Sequence, residues 1–171
     1  HTLEAIDRQL AVDVEGQSDI LVAGISDAEC YSKFSTINPI LVANAGMANT
    51  VMQFQGMPVV REGGIAILAH PFAAEFDRRH FGPYVEFYEK LLSQELDPYW
   101  LWENHVEDFA HRPEYVYGYR HAYAYHGAHP FFMWNSTNVP RRYLSRIYFA
   151  GVKDFAAARR CGFEPFATVE E

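Results

Sequence analysis

The stretch that decides the fold runs from Gly63 to Pro71 and reads GGIAILAHP. Five apolar residues, 65 to 69, stand between a pair of glycines and a His-Pro pair. This pattern predicts a short strand that is entered through a tight turn and left through a rigid one. His70, directly after the strand, is thereby placed at its carboxyl end.

Two further apolar runs of similar length are separated from this one by helical patterns. The predicted strands are 20 to 25, 65 to 69 and 147 to 150, and the predicted helices between and after them are 37 to 54, 84 to 92, 99 to 110 and 153 to 162. Strands joined through helices pair in parallel. We therefore predict a three-layer α/β domain with a mainly parallel sheet flanked by helices.

Several details of this prediction follow from local signals. The continuously apolar run 20 to 25 is typical of a central strand covered on both faces. Residues 11 to 14, AVDV, predict a short strand before it. Ser35 or Thr36 is expected to cap the first long helix, and Asp97 the helix that begins with Pro98. The segment 113 to 139 is aromatic and has no clear periodicity.

The composition predicts one globular domain over residues 1 to 171, because the chain is 49% hydrophobic and 21% charged. The net charge of -8 excludes nucleic acid as an expected partner, since phosphate binding needs a concentrated basic face. No apolar run reaches the roughly 18 to 20 residues that span a bilayer, so no membrane association is expected. Cys30 and Cys161 match no metal or disulfide spacing, which favours a cytoplasmic location.

The carboxyl ends of parallel strands collect ligands, which makes His70 a candidate binding residue. Arg61, at the entry end of the same strand in the sequence Arg61-Glu62-Gly63-Gly64, is a weaker candidate. A tight turn and a local Arg-Glu salt bridge explain that motif as well.

The segment 123 to 134, YAYHGAHPFFMW, is the most aromatic part of a chain that is 16% aromatic. His126 and His129 could share a helical face and bind a metal, but Gly127 and Pro130 make one regular helix through both improbable. Two interpretations stay open. Either the rings pack together with both histidines hydrogen-bonded, or His126, His129 and Trp134 line a ligand pocket.

Four segments, read together, are similar to a known family. They are NPILVANAG, VVREGGIAILAHP, YAYHGAHPFFMW and ARRCGFEP, and they lie within about residues 19 to 165. In this combination the chain resembles the C-terminal domain of nickel-dependent lactate racemases. The resemblance implies an α/β domain that closes over a nickel-pincer nucleotide held mainly by an N-terminal domain of the same protein. This chain alone is then expected to carry no cofactor and to be inactive.

The resemblance also implies which residues contact a small hydroxy-acid substrate. Positions similar to the family's Tyr-Gln-x-x-Lys segment read Phe34 to Asn38, and the similar Lys-Glu-Gly-Gly turn reads 61 to 64. Asn38 replaces a lysine that could hold a carboxylate, which disfavours lactate itself and leaves another α-hydroxy acid or sugar acid. The residues expected nearest the ligand are Lys33, Ser35, Asn38 and His70.

Three functional hypotheses remain from the sequence. The first is the C-terminal domain of a racemase or epimerase, and since the chain begins at His1 rather than Met we expect it to be a piece of a longer polypeptide. The second is a non-catalytic binding or assembly domain with an aromatic interface. The third is a metal-dependent hydrolase built on His70, His126 and His129.

Overall fold

The computed structural model describes residues 2–12, 14–27, 37–52 and 57–170. Its centre is a sheet of four strands, all parallel, in the order β1-β2-β3-β4. The strands are β1 (Ser18–Gly24), β2 (Val60–Ala69), β3 (Arg146–Ala150) and β4 (Glu164–Pro165). The predicted α/β class, the three neighbouring strands and their parallel pairing are confirmed.

Eight helices accompany the strands within the described residues. They are α1 (Thr2–Leu10), α2 (Pro39–Ala43), α3 (Gly82–Glu86), α4 (Pro98–His111), α5 (Pro113–His121), α6 (His129–Asn135), α7 (Asn138–Tyr143) and α8 (Phe155–Arg160). Two of them continue without a break as π-helical segments, α2 into Asn44–Val51 and α3 into Phe87–Leu91. No helix of the described part is both long and apolar enough to cross a membrane.

The strand order places the helices on one face of the sheet. Right-handed crossovers that all advance in the same direction put every connecting helix on the same side. The burial pattern agrees, because Ala66, Leu68 and Phe149 are fully buried whereas Ile20 and Val22, on the opposite face, are 50% and 58% exposed. Within the helical half, α2 contacts α6 and α6 contacts α4. The all-parallel sheet with its helices is consistent with the predicted three-layer α/β fold.

The interpretation of residues 20 to 25 as a central, doubly covered strand is wrong. β1 lies at an edge of the described sheet, and one of its faces is open to solvent. A run of consecutive apolar residues identifies a strand but does not say how many of its faces are covered. The strand predicted at 11 to 14 is also wrong, since the described residues there form no strand and both valines are exposed.

The helix boundaries follow their capping residues. Asp97 caps α4 by accepting the N–H of Trp100 at 2.8 Å, as predicted. The cap of α2 is Asn38 rather than Ser35 or Thr36, because the Asn38 side chain accepts the N–H groups of Ile40 and Leu41. An N-cap one residue before a proline at the first helical position is the standard arrangement at a helix start.

The Arg61-Glu62-Gly63-Gly64 motif forms a bulge at the start of β2. The pairing with β1 jumps from Ser18–Val60 to Ile20–Ile65, so that β2 carries extra residues there. A side chain at Gly64 would come within 2.8 Å of the Asp19 carbonyl oxygen, which explains why a glycine is needed. The salt bridge that fixes the bulge joins Arg61 to Asp19 at 2.6 Å, not to Glu62 as predicted.

Candidate functional site

The loops that follow β1, β2 and β3 meet at the carboxyl edge of the sheet. The N–H of Ile25 donates to the Ala69 carbonyl, and the N–H of His70 donates to the Ala150 carbonyl, both at 3.0 Å. The N–H of Lys153 donates to the Pro71 carbonyl at 2.7 Å. These bonds continue the strand pairing into the loops and hold the edge as one rigid unit.

His70 is fixed at this edge by both ring nitrogens. Nδ1 accepts the N–H of Phe72 at 2.9 Å, and Nε2 lies 2.7 Å from an Asp27 carboxylate oxygen. Because Nδ1 is an acceptor, the single proton of the neutral ring belongs on Nε2. Burial lowers the pKa of His70, and the hydrogen bond and charge of Asp27 oppose this effect only in part. The neutral ring is therefore a positioned structural group with no unused nitrogen.

Phe72 adopts an unusual backbone conformation to make this arrangement. Its φ is 49°, in the left-handed region that non-glycine residues rarely enter. The side chain is fully buried against Phe149 and Phe163, with ring centroids 4.8 and 5.8 Å away. Core packing and the bond to His70 together stabilise this conformation.

Asn38 caps α2, the helix that follows β1 in the chain, and a helix after a parallel strand is expected to begin at the carboxyl edge. Its side chain is 2% exposed, and the two backbone bonds to Oδ1 hold the amide so that Nδ2 is directed away from the helix. Nδ2 is a buried donor that has no acceptor among the described residues. An unsatisfied buried polar group costs roughly 1 to 3 kcal/mol, so such a group calls for an explanation. Lys33 and Ser35, expected beside it, lie outside the described residues, as does Cys30.

Arg61 is at the opposite end of the sheet from His70. The two are nine positions apart along β2, roughly 30 Å at the rise of an extended chain. A small acid cannot contact both side chains at that separation. Arg61 instead holds the bulge through Asp19.

The aromatic segment is divided between the core and the surface. Phe131 and Trp134 are buried, and the Trp134 indole N–H donates to the Leu96 carbonyl at 3.1 Å. Tyr123 and Phe132, expected to pack, are 87% and 63% exposed. The expectation fails for these two because α6 turns Phe132 away from the face that carries Phe131, and Tyr123 lies in the loop before α6 with a φ of 55°.

The two histidines of the segment have different surroundings. His126 precedes α6, and its Nδ1 accepts the N–H of Ala128 at 3.2 Å. His129 begins α6, and its Nδ1 lies 2.5 Å from the hydroxyl of the fully buried Tyr84. Burial lowers the pKa of His129 to about 4, and the nearby His126 adds to this effect. The predicted break between the histidines is confirmed, since no single helix contains both.

Gly127 explains the tight turn between them. A side chain at this position would come 1.9 Å from the carbonyl oxygen of Phe109 in α4. The chain therefore passes directly against the backbone of α4, which only a glycine permits. This close approach docks the aromatic segment on α4.

Sequence reasoning missed a cluster of charges around Glu86. Its carboxylate accepts bonds from Lys90, Arg112 and the hydroxyl of Tyr115. Partial burial alone would raise the pKa of Glu86, but the bonds from Tyr115, Arg112 and Lys90 outweigh it and lower the pKa to about 2. Arg112 also pairs with Asp108. Glu86 lies in α3 and Arg112 between α4 and α5, so their spacing gives no local sequence signal for this pair.

A metal centre is not formed by the residues that the structure describes. Within them, no three His, Cys, Asp or Glu side chains are grouped closely enough to hold a metal ion. His70, His126 and His129 do not provide such a group, and Cys161 is a buried free thiol whose pKa is raised to about 12 by burial. The described residues thus do not fit a resident nickel ion.

Comparisons with protein-family models, with curated proteins and with solved structures found no match for this chain.

Proposed function

We propose that this chain is the substrate-closing domain of a lactate-racemase-like enzyme, a racemase or epimerase of an α-hydroxy acid or a related sugar acid. The buried Nδ2 of Asn38, which has no acceptor within the part of the chain that the structure describes, is the observation that carries the proposal. A carboxylate or hydroxyl oxygen of such an acid would accept its hydrogen bond. The likeness of the quoted sequence segments to the family supports the same interpretation.

In this proposal the chain binds and encloses the substrate and carries out no chemical step alone. A nickel-pincer nucleotide, held by an N-terminal domain of the same protein in the cytoplasm, would supply hydride transfer. The described residues include no group of side chains that could hold a metal ion, and the two ring nitrogens of His70 already contact Phe72 and Asp27. The role of this chain is therefore to orient the acid and exclude water.

The experiment is a titration of the chain with the two enantiomers of lactate, glycerate and gluconate, followed by NMR and thermal unfolding. Asn38→Asp keeps the capping oxygen but replaces the donor Nδ2 with an acceptor. We expect it to weaken binding at least about tenfold, the value of one lost charge-assisted hydrogen bond. Asn135→Asp, the same change at an exposed position of α6, is the control and should leave binding unchanged.

Two outcomes would contradict the proposal. One is that the chain binds none of the hydroxy acids. The other is that Asn38→Asp and Asn135→Asp bind the acid equally well. Elemental analysis and a chiral assay on the same samples provide a second test. We expect neither stoichiometric metal nor racemisation from this chain alone, and a stoichiometric metal ion would instead favour the hydrolase.

A second candidate function is favoured by one specific observation. Several aromatic side chains of the α5 to α6 region are exposed, namely Tyr117, Tyr119, Tyr123 and Phe132 at 66%, 57%, 87% and 63%. Aromatic residues are enriched at protein interfaces, which supports an assembly domain. Replacing Tyr117 and Phe132 by Ser would then abolish partner binding without altering any response to hydroxy acids.

A further inference from the structure

Arg141 of α7 is a half-buried arginine held rigidly in place. Its guanidinium lies over the rings of Trp134 and Phe163, 4.5 and 4.8 Å from their centroids. Nε donates to the hydroxyl of Thr137 at 3.1 Å, and Nη2 donates to the Cys161 carbonyl at 2.8 Å. The guanidinium therefore contacts two aromatic rings, and two of its three nitrogens have hydrogen-bond acceptors.

No carboxylate among the described residues forms an ion pair with Arg141. Arg112, whose side chain is 24% exposed, has two such partners, Glu86 and Asp108. Burial lowers the pKa of Arg141 to about 10. Its positive charge has thus lost hydration without gaining a counter-charge, and an anion beside it would be attracted more strongly than in water.

Arg141 is one of the residues that line a cavity of about 240 Å³. Ser145, Arg146, Gly162 and Glu164 are among the others. A side chain at Gly162 would come within 3.2 Å of Nη1 of Arg141, and both residues line the cavity. The N–H and the hydroxyl of Ser145 both donate to the Gly64 carbonyl and are not available as donors.

Arg146 supplies a second positive charge at this cavity. It begins β3, is exposed, and forms no ion pair among the described residues. Together with Arg141 and the carboxylate of Glu164, the lining carries one net positive charge. This balance suits one singly charged anion. Glu164 disfavours a ligand with several negative charges.

We propose that this cavity binds a small oxyanion, a carboxylate or a phosphate, between Nη1 of Arg141 and the guanidinium of Arg146. Arginine recognises both anions through the same paired N–H donors. The cavity lies where β3 begins, at the amino edge of the sheet. It is separate from the carboxyl edge that contains His70 and Asn38, so neither proposal depends on the other.

The test titrates the chain with sodium phosphate and, separately, with sodium acetate, against sodium chloride at equal ionic strength. Chemical shifts of the arginine side chains and the unfolding temperature are followed. We expect at least one of the two oxyanions to shift the Arg141 signal and raise the unfolding temperature, whereas chloride does neither. Binding of only one oxyanion identifies which class the cavity takes.

Charge variants test the assignment of the cavity. We expect Arg146→Gln to weaken binding about tenfold and Glu164→Gln to strengthen it by a similar factor, because each changes one charge within a few ångströms of the anion. Both residues are exposed, so the fold should tolerate either change. Arg120→Gln removes an exposed charge from α5 and is the matched control.

The proposal is overturned if neither oxyanion acts differently from chloride. It is also overturned if Arg146→Gln and Glu164→Gln leave binding at the level of Arg120→Gln. Arg141→Lys retains the charge but loses the planar donor pair, and we expect it to reduce binding more than Arg146→Gln does.

Discussion

Nε2 of His70 lies 2.7 Å from an Asp27 carboxylate oxygen, while Nδ1 accepts the N–H of Phe72. The two bonds differ in how deeply they are buried. The His70 side chain is 3% exposed, whereas the side chain of Asp27 is 56% exposed. The bond to Phe72 therefore lies inside the protein and the bond to Asp27 at its surface. This difference determines what each residue contributes to stability.

We predict that His70→Leu lowers the free energy of unfolding by about 1 to 3 kcal/mol, because it leaves the buried N–H of Phe72 without an acceptor. Asp27→Ala removes an exposed partner and should cost less than about 1 kcal/mol. His70→Asn keeps an acceptor near the position of Nδ1 and should recover part of the loss. Urea denaturation of the three variants measures the order, and equal losses for Leu and Asn would refute the role of Phe72.

A second prediction concerns the dependence of stability on pH. The pKa of His129 is about 4 in the folded protein and near 6.5 in the unfolded chain. Between these values the unfolded chain binds the proton more readily, so stability is full above about pH 6.5 and declines as the pH falls to about 4. The decline due to this one group is at most about 1.4 kcal/mol per pH unit.

His129→Gln removes this titration and should flatten the stability curve between about pH 6.5 and 4. His126→Gln, the same substitution on a residue for which Ala128 is the hydrogen-bond donor, is the control. Chemical denaturation in steps of half a pH unit separates the two variants. Parallel curves for wild type and His129→Gln would show that the ring is not held neutral by the fold.

The turn at Gly127 allows a direct test of how the aromatic segment docks. Gly127→Ala would place a methyl group 1.9 Å from the Phe109 carbonyl oxygen, so the turn has to leave α4. We expect a loss of about 3 kcal/mol or more, in the range of severe overpacking. Gly24→Ala meets no atom within 4 Å and should change stability by less than about 0.5 kcal/mol. Similar melting temperatures for the two variants would contradict the close approach.

Two adjacent phenylalanines of α6 provide a matched pair. Phe131 is 2% exposed and packs edge to face with Phe87 and Phe109, whereas Phe132 is 63% exposed. We predict that Phe131→Ala costs about 3 to 5 kcal/mol and Phe132→Ala less than about 0.5 kcal/mol. Differential scanning calorimetry of both variants is sufficient, and a large loss from Phe132→Ala would mean that α6 is rotated relative to this description.

The parallel sheet could be predicted from the sequence because each of the three longer strands, β1, β2 and β3, contains a short apolar run between helical patterns. The bulge formed by residues 61 to 64 could be predicted only in part. The two glycines predicted a turn, but the ion-pair partner of Arg61 is Asp19, forty-two residues away in the chain. Partners of that kind depend on strand register, which apolar runs do not specify when one face is open.

The candidate sites were less predictable than the fold. His70 was correctly predicted to follow a strand. Its Nδ1, however, accepts the N–H of Phe72. This bond accompanies a left-handed φ at Phe72, which the residue type does not predict. The environment of Arg141 could not be predicted, because Trp134 lies in α6 and Phe163 in the connection between α8 and β4. Such environments arise from tertiary packing rather than from local spacing.

The long connection between β2 and β3 has a kinetic consequence. Roughly 75 residues, from His70 to Ser145, carry five helices between these neighbouring strands, whereas β1 and β2 are joined by about half that length. Contacts between distant parts of a chain form late, because the entropy of closing the loop is lost before the contact is gained. We therefore expect the helices of this connection to assemble early, and the pairing of β2 with β3 to limit the rate at which the protein folds.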